Sequence, residues 1–128
     1  MTPPSPVSKA ITFLYYRDLA TAEAFYRDRL GLELAIDQGW SKIFRLTDGA
    51  YVGLVDASRG MNSWQAEKCV QLCLRVEDVD EWYDWATSEA LPALSQMFEN
   101  DEIGIRAFVF EDPEGHQIEV QTPTRAGA

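Results

Sequence analysis

Apolar and polar positions along the chain run through the same order of patterns twice. The apolar stretch Ile11-Thr12-Phe13-Leu14-Tyr15-Tyr16 leads through Arg17-Asp18 to Leu19, and Gln71-Leu72-Cys73-Leu74-Arg75-Val76 leads through Glu77-Asp78 to Val79, at an offset of 60 residues. Each is followed by apolar residues at helical spacing: Leu19, Ala22, Phe25, Tyr26 and Leu30 in the first copy, and Val79, Trp82, Trp85 and Ala86 in the second. These patterns predict helices over 20–29 and 80–88. Asp18 and Asp78 fall at the N-cap, where a carboxylate accepts from the first helical amides, which have no partner within the helix. Gly31 ends the first helix and Pro92 blocks continuation of the second.

Shorter apolar runs predict strands over 32–36, 40–46 and 50–55, and again over 94–98, 106–111 and 116–121. Thr47-Asp48-Gly49 and Pro113-Glu114-Gly115 read as the tight turns before the last strand of each copy, with glycine where a positive φ is wanted. The offset here is 66, so the second copy carries six extra residues, placed around 99–104. Each copy is strand, helix, three strands, which makes the fold class α+β with two repeated βαβββ modules. The first module is expected over 7–57 and the second over 68–123, joined by a polar linker over 58–67, all within one domain, 1–128.

A chain of 128 residues suits one domain with a sizeable core. Its 46% hydrophobic and 25% charged residues are those of a folded globular protein. A net charge of −10, from 21 acidic against 11 basic residues, opposes binding to nucleic acid and to anionic membranes, both of which are held through Lys and Arg. The same acidity favours neutral or cationic ligands. Residues 1–6 lack the basic start and apolar core of a secretory signal, and no run approaches the roughly 18 apolar residues of a membrane span. A cytoplasmic location is therefore expected. Cys69 and Cys73 lie four apart on one expected strand. Roughly 13 Å then separates them at about 3.3 Å per residue, beyond the ~7 Å limit for a disulfide. They read as small, half-buried apolar residues.

Two motifs carry a resemblance. Ala24-Phe25-Tyr26-Arg27-Asp28-Arg29-Leu30-Gly31-Leu32, after a strand ending at Asp-Leu, resembles the opening module of the vicinal-oxygen-chelate superfamily, the glyoxalase and bleomycin-resistance group. Phe108-Val109-Phe110-Glu111-Asp112-Pro113-Glu114-Gly115-His116-Gln117-Ile118-Glu119 resembles its closing hairpin. The resemblance implies that the modules form a curved mixed sheet around a cavity, and that the chain is a homodimer. For metal-dependent members it implies ligands on each module's first and last strands, positions that fall here on Ile11, Gly53, Gln71 and Glu119. Only Glu119 keeps the ligand type. A divalent centre with an open position needs three or four N or O donors, whereas Ile11 and Gly53 have none and Gln71 has a neutral amide oxygen. His116, the sole histidine, falls in a turn and out of register. No metal and no other cofactor is expected.

Strand alternation sets Phe13 and Tyr15 on the face of Ile11, Cys73 and Arg75 on that of Gln71, and Gln117 and Gln121 on that of Glu119. Trp40, Tyr51 and Trp64 are candidate stacking surfaces for a planar ligand. The expected ligand-binding set is therefore Phe13, Tyr15, Trp40, Tyr51, Trp64, Gln71, Arg75, Gln117 and Gln121. Glu119 reads either as a catalytic base or partner of a cationic ligand group, or as a carboxylate neutralised by Arg75 or a backbone amide. Tyr16, on the opposite face, reads as packing against the helix. The expected function is metal-independent binding of a small aromatic or cationic molecule, as in bleomycin-resistance proteins. The alternative is a glyoxalase-family enzyme, whether lyase, isomerase or dioxygenase, that uses Glu119 as base or metal ligand.

Overall fold

The first apolar run forms strand β1 (Ala10–Tyr16), after which Asp18 starts helix α1 (Leu19–Ala24). Its carboxylate accepts from the Thr21 hydroxyl at 2.7 Å and the Thr21 amide at 3.1 Å, and these two bonds to the ionised form hold its pKa below the usual carboxylate value. The predicted helix over 20–29 does not continue as one α-helix. Phe25–Arg29 is instead a π turn, in which the Leu30 amide donates to the Phe25 carbonyl at 3.1 Å. The wider turn brings the consecutive rings of Phe25 and Tyr26 inward together; they meet edge to face at 5.5 Å and both are buried. Gly31, at φ 67°, then reverses the chain.

In this computed structural model, which describes residues 1–128, the chain divides into two compact units, Met1–Trp64 and Gln65–Ala128. In the first, β2 (Glu33–Asp37), β3 (Ser41–Thr47) and β4 (Ala50–Asp56) join β1 in a sheet of order β1-β4-β3-β2, with β1 parallel to β4 and the other pairs antiparallel. Leu14, Tyr16, Phe44, Val52 and Leu54 form its buried face beneath the helical segment. The Tyr16 and Tyr26 hydroxyls bond at 3.2 Å, which settles Tyr16 as a packing residue.

The second unit repeats this with β5 (Gln71–Arg75), α2 (Val79–Ser88), β6 (Phe98–Asn100), β7 (Ile105–Glu111) and β8 (Gln117–Pro123), in the order β5-β8-β7-β6. Asp78 caps α2 by accepting from the Asp80 and Glu81 amides at 3.0 and 3.2 Å. Tyr83 of α2 meets Phe108 of β7 edge to face at 5.0 Å. The repeat holds residue by residue. Ile11 pairs with Tyr51 as Gln71 pairs with Gln117, and Phe13 pairs with Gly53 as Cys73 pairs with Glu119. No helix is long and apolar enough to cross a membrane.

Two local expectations are corrected. The strand predicted over 94–98 begins only at Phe98, because Ser95 ties the preceding segment to β7 through its side chain as well as its backbone. Its hydroxyl accepts from the Val109 amide at 2.9 Å while its own amide donates to the Val109 carbonyl at 2.9 Å, a side-chain bond that replaces one rung of a ladder. The extra residues then close as a turn over Asn100, whose side-chain oxygen accepts from the Glu102 amide at 3.1 Å. The cysteines are exposed rather than half-buried: Cys69 precedes the edge strand β5, and Cys73 lies on its open face.

Helix α2 closes on Ala90 at φ 49°, with the Ala90 amide donating to the Thr87 carbonyl at 3.1 Å and the Leu91 amide to the Ala86 carbonyl at 3.2 Å. Glycine normally takes this left-handed position because it has no Cβ to crowd the following carbonyl. Ala90→Gly is expected to stabilise the protein by about 0.5–1 kcal/mol, raising the melting temperature by a few degrees. A lowered melting temperature would show that the closure is not strained.

Candidate functional site

Both sheets carry their helix on one face, and the repeat-related positions of the other face differ in chemistry. In the first unit these are Ile11, Phe13 and Tyr15 on β1 and Tyr51, Gly53 and Val55 on β4, all without a charge. In the second they are Gln71, Cys73 and Arg75 on β5 and Gln117, Glu119 and Gln121 on β8, all polar or ionisable. One backbone plan thus presents an aromatic face and a hydrogen-bonding face.

The hydrogen-bonding face satisfies itself. The Gln71 amide donates to Gln117, the Gln121 amide donates to a Glu119 oxygen, and Arg75 Nε donates to the Gln121 oxygen at 2.8 Å. Arg75 Nη1 also reaches the Ala128 carbonyl at 2.6 Å. The Cys73 thiol lies 3.9 Å from Glu119, and desolvation, followed by that negative charge, pushes its pKa up. A thiol shifted this way stays protonated at neutral pH and is a poor nucleophile. Glu119 is half-buried among an amide and a thiol, with Arg75 held one residue away through Gln121. Gln71 and Gln117 line an open groove of about 410 Å³ with Lys68, Cys69 and Glu111.

The aromatic face holds a smaller pocket of about 180 Å³. Phe13 and Tyr15 of β1 with Val55 of β4 supply its sheet residues; Gln38, Trp40 and Ser41, at the β2–β3 connection, add a second group; and Gly60 and Met61 come from the segment after β4. That segment turns back because the Arg59 and Gly60 amides both donate to the Asp56 carbonyl, at 2.9 and 3.0 Å. Gly60 then lies so close that a Cβ there would sit 2.6 Å from both the Tyr15 ring and a Val55 methyl.

Of the sequence-predicted residues, the pocket gathers Phe13, Tyr15 and Trp40. Tyr51 is buried, with the Lys9 ammonium 5.2 Å from its ring centre, and Trp64 lies under the Arg17 guanidinium at 3.6 Å. Sequence reasoning missed Gln38, Ser41, Val55, Gly60 and Met61. Residue type carried no clear signal for them: Ser41 opens β3, whose other residues are half apolar and half polar.

Residues 10–120 match the family model of the Glyoxalase/Bleomycin resistance protein/Dioxygenase superfamily. The chain belongs to that superfamily. Among solved structures it is similar to lactoylglutathione lyase from Agrobacterium tumefaciens, at 27% identity and TM-score 0.75, covering 99% of this chain and 100% of that one. It also shares its fold with a glyoxalase/bleomycin resistance protein/dioxygenase from Nocardioides (18% identity, TM-score 0.79, 98% and 89% covered). A third relative in fold is the fosfomycin resistance protein FosX from Listeria monocytogenes (17% identity, TM-score 0.70, 90% and 92% covered). A search of the curated proteins finds no match.

The resemblance implies metal ligands at four repeat-related strand positions, and the side chains at those positions do not fit a divalent ion. Ile11 and Gly53 carry no donor, and the Phe13 ring occupies the space beside Gly53 where a side chain would project, 2.5 Å from an ideal Cβ. Gln71 and Glu119 are engaged with Gln117 and Gln121. No group of three or more His, Cys, Asp and Glu side chains converges anywhere in the chain. His116 is held in its turn, its Nδ1 3.1 Å from the buried Asp112 carboxylate.

Proposed function

We propose that this superfamily member is a metal-independent binding protein for small planar molecules, as bleomycin-resistance proteins are for their drug. The observation that carries the reading is the aromatic pocket of the first unit. There Phe13, whose ring crowds the vacated ligand position at Gly53, also lines a cavity with Tyr15 and Trp40. Next to positions that carry no metal donor, the same sheet face offers apolar, aromatic surface for a ligand. The reading extends to a homodimer, as the resemblance implies, and to a cytoplasmic setting.

A second reading is a metal-free lyase or isomerase of the same superfamily. What favours it is Glu119, a half-buried carboxylate on a face of hydrogen-bonding side chains, where it would act as proton shuttle with Gln71 polarising a carbonyl. A thermal-shift screen of heteroaromatic and cationic compounds separates the two. A binder gains melting temperature saturably with at least one compound, by the same amount in wild type and Glu119→Gln. A library without a stabilising compound overturns the binding function, and turnover abolished by Glu119→Gln establishes the enzyme.

A further inference from the structure

The aromatic pocket contains one buried polar group without a partner. Ser41 is 3% exposed and lines the cavity, and its hydroxyl has no hydrogen-bond partner among the protein's groups. It opens β3 opposite Val55 of β4, which pairs in turn with Tyr15 of β1, so all three side chains belong to the same sheet face. A buried hydroxyl left unpaired costs free energy that a ligand atom in hydrogen-bond reach would recover. In volume the pocket, about 180 Å³, is close to the roughly 150 Å³ apolar cavity known to hold benzene, which matches a single ring. No carboxylate or other ionised side chain lines it. The Arg59 guanidinium lies 5.8 Å from the Trp40 ring centre, and a cation there disfavours a cationic ligand.

We propose that this pocket takes a single neutral aromatic ring bearing one hydrogen-bonding substituent, a phenol or its equivalent, with the substituent paired to the Ser41 hydroxyl and the ring against Phe13, Tyr15 and Trp40. This rests on the binding function proposed above and gives it a ligand class. The acidity of the whole chain points towards cations, but the lining of this pocket selects a neutral ring. Met61, which is fully exposed at the pocket's edge, supplies an unbranched thioether suited to closing over rings of differing outline.

The test compares 4-methylphenol with toluene, which differ by the hydroxyl alone, by NMR titration of amide and indole resonances in wild type and Ser41→Ala. 4-Methylphenol is expected to perturb Trp40, Ser41, Val55 and Gly60 and to bind about tenfold more tightly than toluene. Ser41→Ala, which removes only an unpartnered hydroxyl, is expected to fold with an unchanged or higher melting temperature and to bring the two affinities within about twofold. Equal affinities in wild type, perturbations confined to other residues, or wild-type 4-methylphenol affinity in Ser41→Ala would each overturn the assignment. If other compounds still stabilise the protein in that event, the binding function stands and only this ligand class falls.

Discussion

Asp112→Ala is expected to cost about 3–5 kcal/mol of folding stability, the largest loss among the substitutions considered. Asp112 is 2% exposed at the turn between β7 and β8. One of its carboxylate oxygens accepts from the Glu114 and His116 amides, each at 3.0 Å, and the carboxylate lies 3.1–3.2 Å from His116 Nδ1. Alanine leaves these groups in a buried turn without the oxygens that meet them, and each lost bond to a charged acceptor is worth about 1.5–3 kcal/mol. Urea unfolding followed by circular dichroism should show a midpoint lower by more than about 1 M. Asp112→Asn, which keeps one carbonyl oxygen, should lose clearly less. A shift of a few tenths of a molar in Asp112→Ala would mean that the backbone alone holds the turn.

Gly53 is the second site where a large effect is expected, and its sign depends on a neighbour. A Cβ at this position would lie 2.5 and 2.6 Å from two carbons of the Phe13 ring, so Gly53→Ala forces the ring aside and is expected to destabilise by about 1–3 kcal/mol. The backbone itself needs no glycine here, since φ is not positive. In a Phe13→Ala background the same substitution should therefore be neutral or stabilising by up to about 1 kcal/mol, because alanine in a strand loses less conformational freedom than glycine. A double-mutant cycle measured by urea unfolding gives a coupling of about 1–3 kcal/mol if the ring is the obstacle, and near zero if it is not. A carboxylate at 53 would meet the same ring, so this half of a metal site is not restored by one substitution.

Much of the architecture could be read from the residues. Asp18 and Asp78 mark their helix starts because capping is a local interaction between a side chain and the next few amides. The offsets of 60 and 66 carry through to the strand registers because period-two alternation fixes which residues share a face. The π turn at Phe25–Arg29 was not legible, since its hydrogen bonds are chosen by how two adjacent rings pack and not by spacing. The strand at 94–98 failed for a similar reason: Ser95 competes for a rung of the ladder through its hydroxyl.

At the candidate site the sheet residues were accessible and the loop residues were not. Phe13 and Tyr15 follow from alternation, and the absence of donors at Ile11 and Gly53 follows from residue type. Gly60 and Met61 reach the pocket only because the chain turns over Asp56, a matter of tertiary packing. The pairing of Glu119 with Gln121 and of Gln71 with Gln117 needed the register before it could be stated. The structure thus moves the weight of the functional reading from the surviving carboxylate to the pocket beside the lost ligands.

The most direct test of metal-independent binding is the thermal-shift screen repeated in the presence of a strong chelator. The expected result is a compound that raises the melting temperature by the same amount with and without chelator, and with and without added divalent metal. Stabilisation that disappears with the chelator and returns with metal would contradict it, and would place a metal ligand set where Ile11, Gly53 and Gln71 provide none.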